Sequence, residues 1–470
     1  MTRFRELGPV LERALARGGD FAEVFVEQRR TQALICEADR IERAATGLDG
    51  GAGIRVVQGD TSAYAFTNDL SAEGLTAAAE VVAAAARAGQ AGRVTLPLVS
   101  REAAFNPEVR QLPEEVPLAD KAAVVERVNR AARAVDGRVR QVTVNYRELD
   151  QEVTIANSLG FLAEDRRVRT VLAVNAVAAQ GGVIQTGYDS LGGFAGPELA
   201  DGDVPEKLAE KAARRAVRML EARPAPSGRM PVVMAAEAGG TMVHEACGHG
   251  LEADLVQKGL SVYADRLGEQ VAAELVTVID DATLPGRYGS ARYDDEGVPA
   301  RRKVLIERGV LKEYLHSLIT ARRQGAEPNG SGRRESYRHV PIPRMSNTYI
   351  APGKDDPGRI VADTERGLYV TRMGGGQVNT TNGDFVFEVA EGFLIERGEI
   401  GPAVRGATLT GNGPRALSLV DRVGSDLGFT IGTCGKDGQG VAVTDAQPTL
   451  RIPELIVGGT AHDPEGEESL

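Results

Sequence analysis

The feature that most constrains this chain is a histidine-rich segment at residues 241–254, which reads TMVHEACGHGLEAD. It contains two of the chain's five histidines, His244 and His249, together with Glu245. Two imidazoles close to a carboxylate form the side-chain set with which zinc hydrolases hold a metal and activate water. The segment therefore predicts a metal site in which Glu245 is the general base that takes a proton from water.

The spacing of the two histidines conflicts with a regular α-helix. They follow an HExxxH pattern, and at about 100° per residue their side chains would point roughly 140° apart. A π-bulge, which closes hydrogen bonds five residues apart, would return both rings to one side. Gly248 precedes the second histidine and can accept unusual backbone angles. We therefore predict a helix that begins around Gly239 and Gly240 and bulges or breaks near Gly248.

The same residues also have an ordinary structural interpretation, since histidines near glycines can be capping or core residues with satisfied hydrogen bonds. A hydrolytic metal site needs one more protein ligand and a free position for water. The candidates for that ligand are Cys247, Glu252, Asp254, Glu269, Glu274, His316, His339, Cys434 and His462. Cys434 is preferred because it lies in the glycine-rich turn 432–438, although a lone cysteine is more often a small buried apolar residue. Residue chemistry leaves the choice open.

Length and composition predict a multidomain globular protein. A chain of 470 residues exceeds the size at which one hydrophobic core keeps growing, and 42% of its residues are hydrophobic. The net charge of −11, without a basic stripe interleaved with aromatic residues, argues against nucleic-acid binding.

The compartment predicted from the sequence is the reducing cytoplasm. Three scattered cysteines, Cys36, Cys247 and Cys434, are too few for a disulfide framework. The charged amphipathic N-terminus does not resemble a signal peptide. The longest uncharged stretch, residues 170–188, is interrupted by polar residues and glycines, so we do not expect it to span a membrane.

The pattern of helices and strands predicts an α+β fold with two domains. Residues 1–225 combine helical segments with strands typical of an antiparallel sheet, and Pro224, Pro226 and Gly228 mark a boundary. Residues 226–470 contain mostly short strands with glycine turns, which predict a barrel-like or sandwich-like domain that carries the HExxxH helix near its start. We also expect a helix at residues 269–275.

Three further segments have both a functional and a structural interpretation. Gly374, Gly375 and Gly376 could approach a substrate backbone, although a turn between strands is the commoner role. The segment 333–339, which reads RRESYRH, could bind a substrate carboxylate or form a surface ion-pair cluster. Tyr337 and His339 within it are candidate donors to an oxyanion.

Five motifs in a fixed order resemble the TldD branch of the TldD/PmbA family. They read HEACGHGLEAD at 244–254, GRRESY at 332–337, RMSNTY at 344–349, GGGQV at 374–378 and CGKDGQ at 434–439. The resemblance covers nearly the whole chain and is densest from Val232 onward. It implies a cytoplasmic zinc metallopeptidase in which His244, His249 and Cys434 bind Zn²⁺ and Glu245 is the catalytic base.

The resemblance also implies a substrate class and a partner. The related PmbA (TldE) branch lacks HExxxH and is a non-catalytic partner, so the complete motif places this chain on the catalytic side. Family enzymes pair TldD with TldE around an enclosed site that admits unfolded peptides, and they trim leader peptides or degrade flexible proteins. A heterodimer with a TldE/PmbA-like subunit is therefore expected, with a homodimer as the alternative.

Two other functions are compatible with the same residues. The chain could be a regulatory protein that binds partners and whose metal site is structural, in which case four protein ligands should close the site. It could also be a metal-dependent amidase that acts on small molecules, which would share the site and differ in the shape of the pocket.

Overall fold

A long antiparallel sheet dominates the first part of the chain. The computed structural model describes residues 7–86, 92–100 and 102–460. The seven strands of this sheet are β1 (Phe21–Glu37), β2 (Arg40–Gln58), β3 (Thr61–Thr67), β4 (Val99–Ser100), β5 (Val139–Asn157), β6 (Phe161–Gln180) and β7 (Val183–Gly193). Their order is β3-β2-β1-β5-β6, with β4 and β7 both paired to β6. All pairs are antiparallel except β4 with β6.

Helices cover one face of this sheet. They are α1 (Leu7–Ala14), α2 (Ala72–Ala85), α3 (Leu118–Ala134) and α4 (Val204–Glu221). Because side chains alternate between the faces of a strand, Val144 and Tyr146 of β5 point with Leu172 and Val174 of β6 towards α3 and α4. These residues are buried in one hydrophobic cluster with apolar residues of the two helices. The predicted combination of helices and an antiparallel sheet is confirmed.

The second part of the chain is rich in strands. Its strands are β8 (Arg223–Pro224), β9 (Gly228–Met234), β10 (Val278–Asp281), β11 (Arg302–Glu307), β12 (Val310–Leu311), β13 (Gly332–Arg333), β14 (Ile342–Pro343), β15 (Asn347–Ile350), β16 (Arg366–Val378), β17 (Asp384–Glu396), β18 (Glu399–Arg405), β19 (Thr408–Asn412), β20 (Arg422–Val423), β21 (Gly428–Lys436), β22 (Gln439–Gln447) and β23 (Leu450–Gly458). Its α-helices are α5 (Thr241–Val243), α6 (Ala253–Gln257), α7 (Leu318–Gln324), α8 (Pro357–Ala362) and α9 (Gly413–Leu419).

Five of these strands close into a barrel. They pair in the order β16-β9-β23-β19-β17, and β17 pairs again with β16. A second sheet has the order β12-β11-β10-β15-β22-β21, so β21 lies at its edge. One large hydrophobic cluster joins both sheets to the HExxxH segment. The predicted barrel-like character of the second half is therefore confirmed.

The helix predicted at residues 269–275 is wrong. No helix forms there, and the chain instead packs irregularly against the tip of the β11–β12 hairpin. The backbone N–H groups of Val271 and Ala272 both donate to the carbonyl oxygen of Gly309. These tertiary hydrogen bonds replace the bonds that a helix would make within itself.

A buried network of charges joins the first sheet to the second part of the chain. Arg55 of β2 contacts Glu23 of β1 at 2.8 Å and Glu296 at 2.5 Å. The guanidinium of Arg334 lies 2.6 Å from the other oxygen of Glu23. All four side chains are fully buried. Since a buried charge without a partner is costly, each member constrains the position of the others.

No helix among the described residues is long and apolar enough to cross a membrane.

We expect Glu23→Gln to lower the free energy of unfolding by about 3 kcal/mol, because it leaves two buried guanidinium groups with one partner fewer. Urea unfolding followed by circular dichroism measures the change. Glu80→Gln is the matched control, since Glu80 pairs with Arg13 on the exposed surface and its loss should have almost no effect. Equal stability of the two variants would contradict the structural role of the network.

Candidate metal centre

The HExxxH segment is an irregular helix whose central turn is a π-turn. It begins with α5, continues as a π-helix over His244–Gly248 and ends as a 3-10 turn over His249–Leu251. The backbone N–H of His249 donates to the carbonyl oxygen of His244, which is the five-residue hydrogen bond of a π-turn. The predicted bulge is confirmed, and it turns the two imidazoles towards each other, with ring centres 4.9 Å apart.

The reason for glycine at position 248 differs from our expectation. Its backbone angles, φ −51° and ψ −58°, are those of an ordinary right-handed helix, so no unusual conformation requires glycine. The constraint is space, because a Cβ atom there would lie 2.1 Å from the sulfur of the fully buried Met345. Unusual angles occur earlier instead, at Gly239, where φ is +77°.

The two histidines and Cys434 bring three metal-binding atoms together. The Nε2 atom of His244 lies 3.2 Å from the sulfur of Cys434, and the Nε2 atom of His249 lies 3.5 Å from it. The three donor atoms all lie within 4.8 Å of one another. Cys434 belongs to the edge strand β21 and is buried. Of the candidate third ligands that lie in the described ranges, it is the one that the structure places beside both histidines.

Carboxylates on the far side of each imidazole fix the direction of the rings. The Nδ1 atom of His244 lies 2.8 Å from Oδ1 of Asp445, and the Nδ1 atom of His249 lies 3.0 Å from Oε2 of Glu252. When Nδ1 carries the proton that bonds to a carboxylate, Nε2 is left as the free electron pair for a metal. Both Nε2 atoms face Cys434.

A second set of charges balances Glu252, which is completely buried. Lys436 lies 3.1 Å from its Oε2 atom and also pairs with Asp254 at 2.6 Å. Arg344 lies 3.8 Å from Oε1 of Glu252, and its guanidinium donates to the carbonyl oxygen of Cys434 at 2.5 Å. The cations therefore stabilise the carboxylate that holds His249 and also fix the backbone of Cys434.

The donor group favours a thiolate surrounded by positive charge. Burial alone would raise the pKa of Cys434, but its hydrogen bonds with His244 and His249 and the charges on those rings lower it to about 5. Burial would lower the pKa of His249, but Glu252 and Cys434 outweigh this effect and raise it to about 10. Burial likewise opposes the rise in the pKa of His244 that Asp445 and Cys434 cause. A divalent cation would displace the Nε2 protons, and the resulting two neutral imidazoles and one thiolate are a donor set suited to a borderline-soft metal.

Glu245 lies in a cavity of about 580 Å³ that the donor residues also line. Burial raises its pKa, and the neighbouring imidazoles of His244 and His249 partly oppose this. Within the described residues its carboxylate has no hydrogen bond or ion pair, so it is available to bind water or substrate in the cavity. The same cavity is also lined by the cationic residue Arg372 and by two residues that carry hydroxyls, Thr241 and Thr430.

The structure separates the other candidate ligands from the donor group. Cys247 is fully buried and donates to the carbonyl oxygen of Val243. Glu252 contacts the Nδ1 atom of His249, on the side of the ring away from the donor group, and is not one of the three donors. The remaining described candidates contact other residues: Asp254 contacts Lys436, Glu269 contacts Arg266, Glu274 contacts Arg308, His316 contacts Thr320 and His339 contacts Ser336. His462 lies outside the described residues.

The segment 333–339 does not line the cavity. Arg333 and Arg334 are buried, so they form neither a surface ion-pair cluster nor a substrate site there. Arg333 donates to the carbonyl oxygens of Met345 and Ala442, whereas Arg334 pairs with Glu23. Tyr337 is buried against the first sheet with its hydroxyl near Asp49, which excludes it as an oxyanion donor in this arrangement. Gly374, Gly375 and Gly376 lie within strand β16, where a register shift interrupts its pairing with β17.

Sequence reasoning missed Asp445 and the roles of Lys436 and Arg344. Asp445 is 201 residues from His244 in the chain, and no spacing rule relates them. The one clue to Asp445 was that it follows Cys434 closely in the chain, on strand β22, which pairs with the strand that carries Cys434. Without the strand register, that signal could not be used.

Comparison with known proteins agrees with this geometry. Three family models match the chain: "PmbA/TldA metallopeptidase domain 1" at residues 22–86, the central domain of the same family at 111–220, and its C-terminal domain at 227–459. The chain belongs to the TldD/PmbA metallopeptidase family. The family resemblance inferred from the five motifs is thereby confirmed.

The relatives of this family member are named metalloproteases. A metalloprotease TldD homolog of Haemophilus influenzae is 37% identical over 94% of both chains. A metalloprotease of Methanothermobacter thermautotrophicus is 39% identical over 94% of this chain and 96% of that protein. The solved structure of TldE from Thermococcus kodakarensis has the same fold, with a TM-score of 0.76 at 21% identity over 94% of this chain and 97% of that one.

We expect Cys434→Ser to lose most of the affinity for a divalent metal and Asp445→Asn to weaken it by about 10- to 100-fold, because the amide no longer fixes the tautomer of His244. Competition titration with a chromophoric chelator measures both effects. Cys247→Ala is the matched control, since this equally buried thiol faces a backbone carbonyl and should leave metal affinity unchanged. Parent-like affinity in Cys434→Ser would contradict the three-donor site.

Proposed function

We propose that this chain is a zinc-dependent peptidase that hydrolyses peptide bonds in unfolded or flexible polypeptides. His244, His249 and Cys434 would hold the metal, and Glu245 would be the catalytic base. The observation that carries the proposal is that two Nε2 atoms and one thiolate converge in a cavity also lined by Glu245, a carboxylate that pairs with no described residue.

The donor set fits zinc in both chemistry and spacing. Bonds of about 2.0 to 2.3 Å in a tetrahedral arrangement place two ligand atoms roughly 3.5 Å apart, which is comparable with the N to S distances of 3.2 and 3.5 Å. Nitrogen and thiolate ligands suit zinc better than magnesium or calcium, which prefer oxygen. When bound, zinc would lower the pKa of water to about 7 and polarise the peptide carbonyl.

The residues of the chain account for the proton transfers of peptide hydrolysis. Glu245, raised in pKa by burial, would accept a proton from water in the cavity and pass it to the leaving amine. Asp445 and Glu252 would keep both imidazoles in the tautomer that presents Nε2 to the donor group. Glu245 and the three donor residues line the same cavity of about 580 Å³, so a peptide bond that enters it would meet both the metal and the base.

The second candidate is a regulatory protein with a structural metal site. A structural zinc site is normally closed by four protein ligands, whereas a hydrolytic site has three and leaves a position for water. Among the described residues, three histidine or cysteine donors converge and no fourth ligand joins them. This count favours the peptidase. A small-molecule amidase would use the same site and would differ from a peptidase in the shape of the pocket.

The partner and the role are part of this proposal, and the name of one structural neighbour supports the partner. The fold shared with TldE suggests a heterodimer with a TldE/PmbA-like subunit, with a homodimer as the alternative. Trimming of leader peptides or degradation of flexible proteins is the proposed role. The cytoplasm is the proposed compartment because Cys434 must stay reduced, and Cys36, Cys247 and Cys434 are all free. The division into domains at residues 225 and 226 remains a proposal.

We expect Glu245→Gln to retain metal and to lower the rate of peptide cleavage by at least about 100-fold, because the amide cannot accept a proton. Cleavage of a fluorogenic flexible peptide and metal analysis of the same sample measure the two effects. Glu274→Gln, at an exposed ion pair, is the control and should cleave normally. Retained cleavage by Glu245→Gln would refute the assigned role of this carboxylate.

Removal of metal by a strong chelator should abolish cleavage without unfolding the chain, since the donor site adds only local constraints to a large core. Addition of zinc should restore activity with about one ion per chain. The assay follows peptide cleavage and circular dichroism together, with and without a TldE/PmbA-like subunit. Full activity of the metal-free protein would contradict the proposed chemistry, and loss of fold together with activity would favour the structural site.

A further inference from the structure

The described helices α1 to α4 pack against one face of the long N-terminal sheet, and alternate side chains of its strands point to the other face. On β1, β5 and β6, the side chains that point away from α3 and α4 include Ala33, Arg147 and Val171, which are neighbours across the sheet. These side chains line a second cavity of about 600 Å³, whose opposite wall is the edge strand β21. This cavity is called the sheet cavity below.

The sheet cavity adjoins the candidate metal centre. Ile431, Gly432 and Thr433 of β21 line both cavities, and Cys434 is the next residue along the strand. A strand advances about 3.3 Å per residue, so a peptide whose bond lies at the donor group enters the sheet cavity within a few residues. The two cavities together form a path along the edge of β21.

Arginines dominate the charge of the sheet cavity. Arg29, Arg147 and Arg169 line it, and Glu148 is the one acidic side chain in the lining. Glu148 is already bonded to Lys121 at 2.6 Å and to the hydroxyl of Tyr146 at 2.5 Å. It therefore does not neutralise the arginines. The chain as a whole has a net charge of −11, so this basic lining is a local departure from the composition.

Two of these arginines have no acidic partner in the part of the chain that the structure describes. Arg169 is buried to 6% exposure and donates to the backbone carbonyl oxygens of Tyr288 and Ser290. Burial and the nearby charges of Arg167 and Arg333 lower its pKa to about 10. Arg147 is exposed, and within the described ranges it forms no ion pair. Arg29 lies 3.7 Å from Asp49, which also pairs with Arg338.

The register places Arg147 and Arg169 close together. Arg147 is opposite Val171 and Arg169 is opposite Leu149, so the two arginines are diagonal neighbours on adjacent strands. Diagonal positions on one face of a sheet are about 7 to 8 Å apart. Arginine side chains are long enough to meet across this spacing, and no described carboxylate pairs with either of them, so the two positions are suited to an anionic group.

We propose that the sheet cavity binds side-chain carboxylates of the polypeptide substrate, so that segments with glutamate or aspartate a few residues from the cleaved bond are preferred. The proposal rests on the peptidase function proposed above. Charge complementarity identifies the occupant: a polypeptide already bound at the donor group brings its own carboxylates to Arg147 and Arg169, which pair with none of the described carboxylates.

Binding of matched peptides tests the proposal without relying on cleavage. Each fluorescein-labelled peptide has blocked termini and a flexible central segment, with three glutamates or three glutamines on one side of that segment. Both orientations are made. Fluorescence anisotropy measures dissociation constants with the Glu245→Gln protein, and cleavage rates are measured with the parent protein.

In one orientation the glutamate peptide should bind about fivefold more tightly than its glutamine counterpart, because a partly exposed charge contact contributes up to about 1 kcal/mol. The preference should shrink at high salt, since screening weakens exposed charge pairs. In the Arg147→Gln variant, the ratio of the two dissociation constants should fall to near one. Arg140→Gln, an exposed arginine on the same strand, is the control and should keep the preference.

Equal dissociation constants of the glutamate and glutamine peptides with the Glu245→Gln protein would overturn the proposal. It would also be overturned if Arg147→Gln raised both dissociation constants by the same factor. Tighter binding of a single-stranded oligonucleotide of matched charge would also overturn the peptide assignment. If the parent protein cleaves peptides without a glutamate preference, the cavity assignment fails and the peptidase stands. If no peptide is cleaved but the Arg147-dependent preference is present, the peptidase fails and the cavity assignment stands.

Discussion

The five-residue spacing between His244 and His249 is the constraint on which the rest of the site depends. A regular helix would point the two rings apart, and the π-turn over His244–Gly248 removes that conflict by adding one residue to the turn. The turn fits only because Gly248 leaves room for Met345 and because Gly239 accepts a positive φ. Local backbone irregularity and close packing therefore have to occur together, which is typical of π-bulges at functional sites.

The site is stabilised by alternating charges that extend outward from the donor atoms. Cys434 contacts both imidazoles, the imidazoles contact Asp445 and Glu252, and Glu252 contacts Lys436. Each charge is buried next to an opposite one, which offsets the cost of removing it from water. Glu245 is the exception, since its carboxylate has no such partner among the described residues. Arg147 and Arg169 are the opposite case, because these positive charges have no carboxylate partner among the described residues.

Much of the fold was predictable because it depends on local patterns. Strand patterns within residues 1–225 predicted an antiparallel sheet, and glycine turns between short strands predicted a barrel-like second half. The helix expected at 269–275 was wrong because tertiary hydrogen bonds to Gly309 determine that segment. The need for a bulge followed from the histidine spacing, but the reason for Gly248 did not, since the contact with Met345 is between residues far apart in the chain.

The sequence by itself determined the chemistry available to this protein: two histidines and a glutamate in a spacing that requires an irregular helix, and a family membership that the motifs already indicated. Only the tertiary structure decided which distant residues meet that helix. The pairing of β21 with β22 brings Cys434 and Asp445 to opposite sides of His244. Neither contact has a local signature, because strand register across a sheet is set by packing of the whole domain and not by the spacing of residues along the chain.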